Sequence, residues 1–180
     1  VVKAGGVQWT TAGRGIIHAE APTKEFVKKG GDLEGIQLWL NLPAKDKMMT
    51  PNYQHLEENQ IPKLFSEDKK VQLNIIAGNQ LEQSGLIKTQ TEVNVFTATA
   101  DENGKLEIEI PQNHQSLIYL LDGEILVNNS DVLKKGENQM ITFHQDGTSI
   151  QFEAKKQSTI LILSGEPIKE KVTQYGPYVM

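Results

Sequence analysis

The chain has 180 residues, a formal net charge of −5 and no cysteine. This length suits one domain or two small ones with a sizeable core, and the lack of cysteine excludes disulfides and thiolate metal sites. An acidic balance without a basic stripe argues against direct nucleic-acid binding, and with no long apolar run and no visible signal peptide the expectation is a cytoplasmic protein without a membrane partner.

In chain order, residues 1–9 read as a strand or strand edge. The stretch VQWTTAGRGIIHAE follows, and Gly13 and Gly15 around Arg14 mark a tight turn. If residues 16–20 are extended, His18 and Glu20 lie at i and i+2 and project from the same face. An imidazole nitrogen beside a carboxylate oxygen suits iron, manganese, nickel or zinc. Two ligands do not hold such a metal alone, and an isolated H-x-E is more often a satisfied polar pair or a solvated strand face.

Residues 21–32 are polar and lysine-rich and read as a surface loop. In residues 33–42, Ile36, Leu38 and Leu40 alternate with Gln37, Trp39 and Asn41, which is the period of a strand. Trp9 and Trp39 read as core aromatics in preference to pocket walls. Residues 43–70, with Pro43, Pro51 and Pro62, read as an irregular connector, with a short helical turn at residues 55–58. Lys45, Asp46 and Lys47 read as solvated surface.

From residue 71 onward the pattern is many short strands: 71–76, 86–89, 92–98, 105–110, 116–121, 124–127, 139–143, 149–153 and 159–163. LEIEI and TSIQFEA alternate most cleanly. Glycine turns at Gly78, Gly104, Gly123, Gly136 and Gly147 separate them, which predicts a closed sandwich or barrel. Gly123 is expected at the turn of a hairpin, with a second strand pair after Gly136. Asn128, Asn129 and Ser130 match a glycosylation sequon and read as a polar turn. His55, His114 and His144 stand apart from one another in polar contexts, and His114 and His144 are expected on exposed loops. Gly176 and Pro177 forbid regular structure in the tail.

The run GIIHAE after its glycine turn, GIQLWLNLPAKDKM (35–48), PNYQ (51–54) and SGEPIKEKVTQYGPYVM (164–180) together resemble the pirin family of the cupins. The blocks span the chain in family order. Gly6 stands where an acidic residue is common in the family, and His55 stands where an aspartate is usual. The resemblance implies an all-β bicupin of two jelly-roll barrels (double-stranded β-helices), the first incomplete here and the second complete. Residues 1–50 would be the C-terminal part of the metal-site domain, 51–165 a metal-free second cupin, and 166–180 a tail returning toward the first domain. In that second cupin the glutamate position falls on Ser116, the paired histidines would fall among residues 109–112, where there is none, and the late histidine would fall near Ser149 or Ile150.

The family site has three histidines and one glutamate. His18 and Glu20 would be two of them, with two further histidines expected from an N-terminal segment that this stretch lacks; the family's C-terminal helix is likewise absent. The implied cofactor is iron (Fe2+) or another divalent first-row metal. The implied activity is opening of the flavonol quercetin with dioxygen, a quercetin 2,3-dioxygenase-like reaction in which Glu20 doubles as the base. The other reading is a non-enzymatic, metal-dependent regulator that acts through protein partners. In either case the partner is a flavonol-like small molecule or another protein.

Overall fold

A computed structural model describes residues 2–175 and 178–179. The chain divides into two compact units, Val1–Glu57 with Lys169–Met180, and Glu58–Ile168. The architecture is all-β, as expected of a cupin.

The first unit holds β1 (Val7–Thr11), a short helix α1 (Lys24–Lys29) and β2 (Asn52–Leu56). β1 and β2 pair antiparallel, with Gln8 opposite His55 and Trp9 opposite Gln54. Residues 21–32 are therefore not wholly a loop. Thr23 starts α1 by accepting a hydrogen bond from the Phe26 N–H at 3.1 Å. Glu25 lies in its first turn and Lys28 and Lys29 in its last, the charge order the helix dipole favours. In the tail, the Ala44 N–H donates to Glu170 Oε2 at 2.8 Å.

Two expected strands are not formed. Residues 16–20 and 33–42 are irregular, and neither forms a backbone ladder with another strand among the described residues. A strand is stable only when its backbone groups are paired, so alternation without a partner leaves extended but irregular chain. Trp39 is correspondingly 73% exposed, against the expectation of core. Residues 43–70 are less irregular than expected: β2 lies within them, a 3-10 turn covers Glu58–Gln60, and His55 belongs to β2 and to no helical turn.

The second unit contains β3 (Lys63–Phe65), β4 (Val71–Ala77), the small pair β5 (Asn79–Gln80) and β6 (Gln83–Ser84), then β7 (Val93–Ala100), β8 (Lys105–Glu109), β9 (Gln115–Asp122), β10 (Glu124–Val127), β11 (Asp131–Lys134), β12 (Met140–Thr142), β13 (Ser149–Ala154) and β14 (Ser158–Gly165). Residues 86–89 form no strand; Ile87 makes one isolated bridge to Ala77. A six-stranded sheet runs β12-β9-β14-β7-β4-β3 and a four-stranded sheet runs β11-β10-β13-β8. The tail adds the pair β15 (Gln174–Tyr175) and β16 (Tyr178–Val179) in the first unit; Gly176 and Pro177 lie outside the described residues.

From β7 onward the chain crosses between the two sheets at nearly every turn, which is the jelly-roll winding. The inward residues follow the period of two. Phe96 and Ala98, Ile118 and Leu120, and Ile160 and Ile162 come from the larger sheet. Ile108, Ile125, Ile150 and Phe152 come from the smaller one, and all pack into one core. In LEIEI, Ile108 is fully buried while Glu107 and Glu109 face solvent, as the alternation requires.

Gly123 differs from its expected role. It joins β9 to β10, which lie in different sheets, so it is a corner and not a hairpin turn. Its φ is +94°, and a Cβ there would stand 2.3 Å from the Gln157 carbonyl oxygen and 2.3 Å from Ser158 Oγ. Ser158 Oγ in turn accepts from the Glu124 N–H at 3.1 Å, so the corner is closed from both sides. A true hairpin links β10 and β11, where Asn128 (φ +47°) and Asn129 (φ +57°) adopt left-handed backbone.

His114 is also displaced from its expected place. It is 4% exposed, with Nδ1 3.0 Å from Ser164 Oγ, which accepts from Asn94 Nδ2 at 3.0 Å. Its Nε2 has no partner among the described residues. Burial holds its pKa below the usual 6.5, and the carboxylates of Glu92 and Glu166 only partly oppose this. His144 is exposed, as expected.

Two outcomes follow from this packing. Gly123→Ala is expected to destabilise the protein by more than about 1 kcal/mol in urea unfolding, because both the backbone sign and the space are wrong. Gly136→Asn, at a positive φ with nothing nearby, is expected to be close to neutral. The second concerns acid. A histidine whose folded pKa is lowered contributes stability that is complete above about 6.5 and declines as pH falls below it. Unfolding free energy measured from about pH 7 to about pH 5 is expected to fall in the wild type, and His114→Gln is expected to flatten that component.

Candidate functional site

The candidate ligands lie in the first unit, just after β1. Gly13 (φ +52°) turns the chain where a Cβ would come within 2.2 Å of the Met49 carbonyl oxygen. The Arg14 N–H donates to that same oxygen at 2.9 Å, and the Gly15 N–H donates to the Ala12 carbonyl at 3.0 Å. Glycine is required at position 13 for this close backbone approach.

Beyond the turn, His18 Nδ1 and Glu20 Oε1 stand 3.7 Å apart, each about half exposed. The i, i+2 pair meets although the segment is not a strand. Ala19 between them is exposed, and so is Ile17 just before His18. Two donors on adjacent positions of an octahedral ion, with bonds of about 2.1 Å, would be separated by about 3 Å. The donor types, an imidazole nitrogen and a carboxylate oxygen, are ones that first-row divalent cations accept. Among the described residues, no cluster of three or more His, Cys, Asp or Glu side chains could hold a metal.

Glu20 has partners that sequence reasoning did not identify. Gln8 Nε2 donates to its Oε1 at 2.9 Å, and Gln37 Nε2 reaches its Oε2 at 3.5 Å. Gln37 is a polar position in the alternating stretch GIQLWL, and only the folded chain reveals where it points. His55 stays apart from His18 and Glu20: its Nε2 lies 3.3 Å from Glu57 Oε1. His114 and His144 belong to the second unit.

The chain matches the pirin family over residues 1–40 and the pirin C-terminal cupin domain over residues 95–180. Pirin of Rattus norvegicus is 35% identical over 178 residues, 98% of this chain and 59% of its own length. A crystal structure of quercetin 2,3-dioxygenase from Acinetobacter baumannii superposes with a TM-score of 0.93 at 32% identity, over 99% of this chain and 62% of that one. A bacterial pirin of Escherichia coli in complex with nickel(II) shares the fold at a TM-score of 0.52 and 13% identity, over 69% of this chain and 48% of that one. The chain thus spans about three-fifths of the length of the curated relatives it matches. No helix among the described residues is long and apolar enough to cross a membrane. With both pirin domain types matched in order on one chain, and a cupin jelly roll beneath them, this protein belongs to the pirin family.

Proposed function

We propose that this chain contributes His18 and Glu20 to the metal site of a cytoplasmic, pirin-type, quercetin 2,3-dioxygenase-like enzyme. The observation that carries the reading is the 3.7 Å approach of an imidazole nitrogen and a carboxylate oxygen immediately after the glycine turn. Relatives named quercetin 2,3-dioxygenase support the enzymatic reading, and one structure that shares the fold is a complex with nickel(II). Two further histidines complete the set, supplied by a part of the relatives' length that this chain does not span. Iron (Fe2+) is the proposed metal, and other divalent first-row ions fit the same donors.

A metal held there by His18 and Glu20 would supply Lewis acidity to a bound substrate. His18 contributes a neutral donor and Glu20 an anionic one, so the chain lowers the charge of a dication by one. Glu20 also has the chemistry of a general base. Its carboxylate accepts the proton of the flavonol 3-hydroxyl, leaving a phenolate-like oxygen on the substrate and a neutral carboxyl on the protein. That step needs the hydroxyl within hydrogen-bond reach of a carboxylate oxygen, as a substrate held beside Glu20 would have it.

The test is a flavonol assay on the complete polypeptide that contains this chain, loaded with Fe2+ under air. Loss of quercetin absorbance with matching dioxygen uptake is expected. Glu20→Gln is expected to lower the rate by about 100-fold or more. A metal-loaded protein that leaves quercetin untouched would sink the enzymatic reading in favour of a regulator acting through protein partners. A second expectation concerns the 180-residue chain alone. With two donors it should hold metal weakly and below stoichiometry by metal analysis, and tight one-to-one binding at His18 and Glu20 would contradict the four-ligand site.

A further inference from the structure

Glu20 lies on an irregular, half-exposed segment, where a carboxylate would ordinarily sample many rotamers. Both of its oxygens are nevertheless engaged by amides: Oε1 by Gln8 at 2.9 Å and Oε2 by Gln37 at 3.5 Å. The two amides reach it from separate parts of the first unit. Gln8 sits on β1, whose backbone is fixed by pairing with β2. Gln37 comes from the irregular stretch 33–42.

An ionised carboxylate accepts only, with about four lone-pair directions on its two oxygens. Two amide donors therefore orient the group and still leave directions free, including on the oxygen that stands 3.7 Å from His18 Nδ1. The donors are also uncharged. A lysine or arginine in either place would hold the carboxylate equally well but would cancel the negative charge that a cation requires. A glutamate has several side-chain torsions to freeze on binding a metal, and freezing them beforehand improves affinity.

We propose that Gln8 and Gln37 form a neutral amide clamp that positions Glu20 as a metal ligand. Gln8, with the shorter bond and the more rigid strand, is the principal arm. Both are positioning residues acting through Glu20. The inference rests on the reading of His18 and Glu20 as ligands given above.

The experiment is calorimetric titration of the complete polypeptide with Ni2+ alone, together with melting temperatures of the metal-free protein. Gln8→Met keeps the side-chain length and removes the donor. It is expected to weaken Ni2+ binding by about 10- to 100-fold. Gln37→Met is expected to weaken it by less. The metal-free melting temperature should stay within about 2 °C for both, since the contacts are exposed. Gln8→Lys, which keeps a donor but adds charge, is expected to weaken binding at least as much as Gln8→Met.

The outcomes separate the two readings. If His18→Ala and Glu20→Gln abolish binding while Gln8→Met and Gln8→Lys leave it within about twofold, the clamp is wrong and the ligand assignment stands. If His18→Ala and Glu20→Gln have no effect, the ligand assignment fails and the clamp with it. A Gln8→Met protein whose metal-free melting temperature falls well beyond that range would show a structural role, and that also overturns the clamp.

Discussion

Backbone pairing is the constraint on which the rest of this structure depends. Strand β14 makes two antiparallel ladders, one with β7 and one with β9, each running through nearly its whole length. Those ladders place Ile160 and Ile162 beside Ala98 and Phe96 on one side and beside Leu120 and Ile118 on the other. All six side chains are fully buried. Burial of this kind contributes about 25 cal/mol per Å2 of apolar surface, but it is collected only because the ladder holds alternate side chains on one face. Where the ladder is missing, as in residues 16–20 and 33–42, apolar side chains of equal hydrophobicity such as Ile17 and Trp39 stay in water.

The jelly-roll winding adds a second requirement, the corner. Each crossing between the sheets has to reverse the chain without giving up the ladders on either side. Gly123 does so at a positive φ, against a backbone that leaves no space for a Cβ. Ser158 closes the same corner from β14, being 2% exposed and bonded to the Glu124 N–H. His114 shows a related economy at the opposite end of the strands. The turn before β9 buries an imidazole on Ser164 of β14, and Ser164 in turn holds Asn94 of β7, so one polar chain ties neighbouring strands of the larger sheet.

The candidate metal centre depends on different physics. Its segment lacks a ladder, so the positions of His18 and Glu20 come from the Gly13 turn, held on the Met49 carbonyl, and from amide contacts to the carboxylate. A site built in this way is ordered by polar contacts more than by packing. The jelly roll supplies strength and the glycine turn supplies direction.

Much of this was legible in the chain of letters. Period-two alternation located most strands of the second unit, because the side-chain period of a strand is local and survives in the sequence. The H-x-E pair after a glycine turn was legible for the same reason, since the ends of three consecutive residues cannot separate far. Partnership was not legible. Residues 33–42 alternate as well as residues 105–110 do, yet among the described residues only the latter pair with a neighbouring strand, and no local pattern encodes a neighbour distant in sequence. Gly123 announced a turn but not that its two strands belong to different sheets. His114, read as a loop histidine from its polar surroundings, is buried by residues 50 positions away. The sequence by itself determined where the chain can extend, turn and present an imidazole beside a carboxylate. The tertiary structure alone decided which strands pair, which histidine leaves water and which amides reach Glu20, because those contacts join residues that only folding brings together.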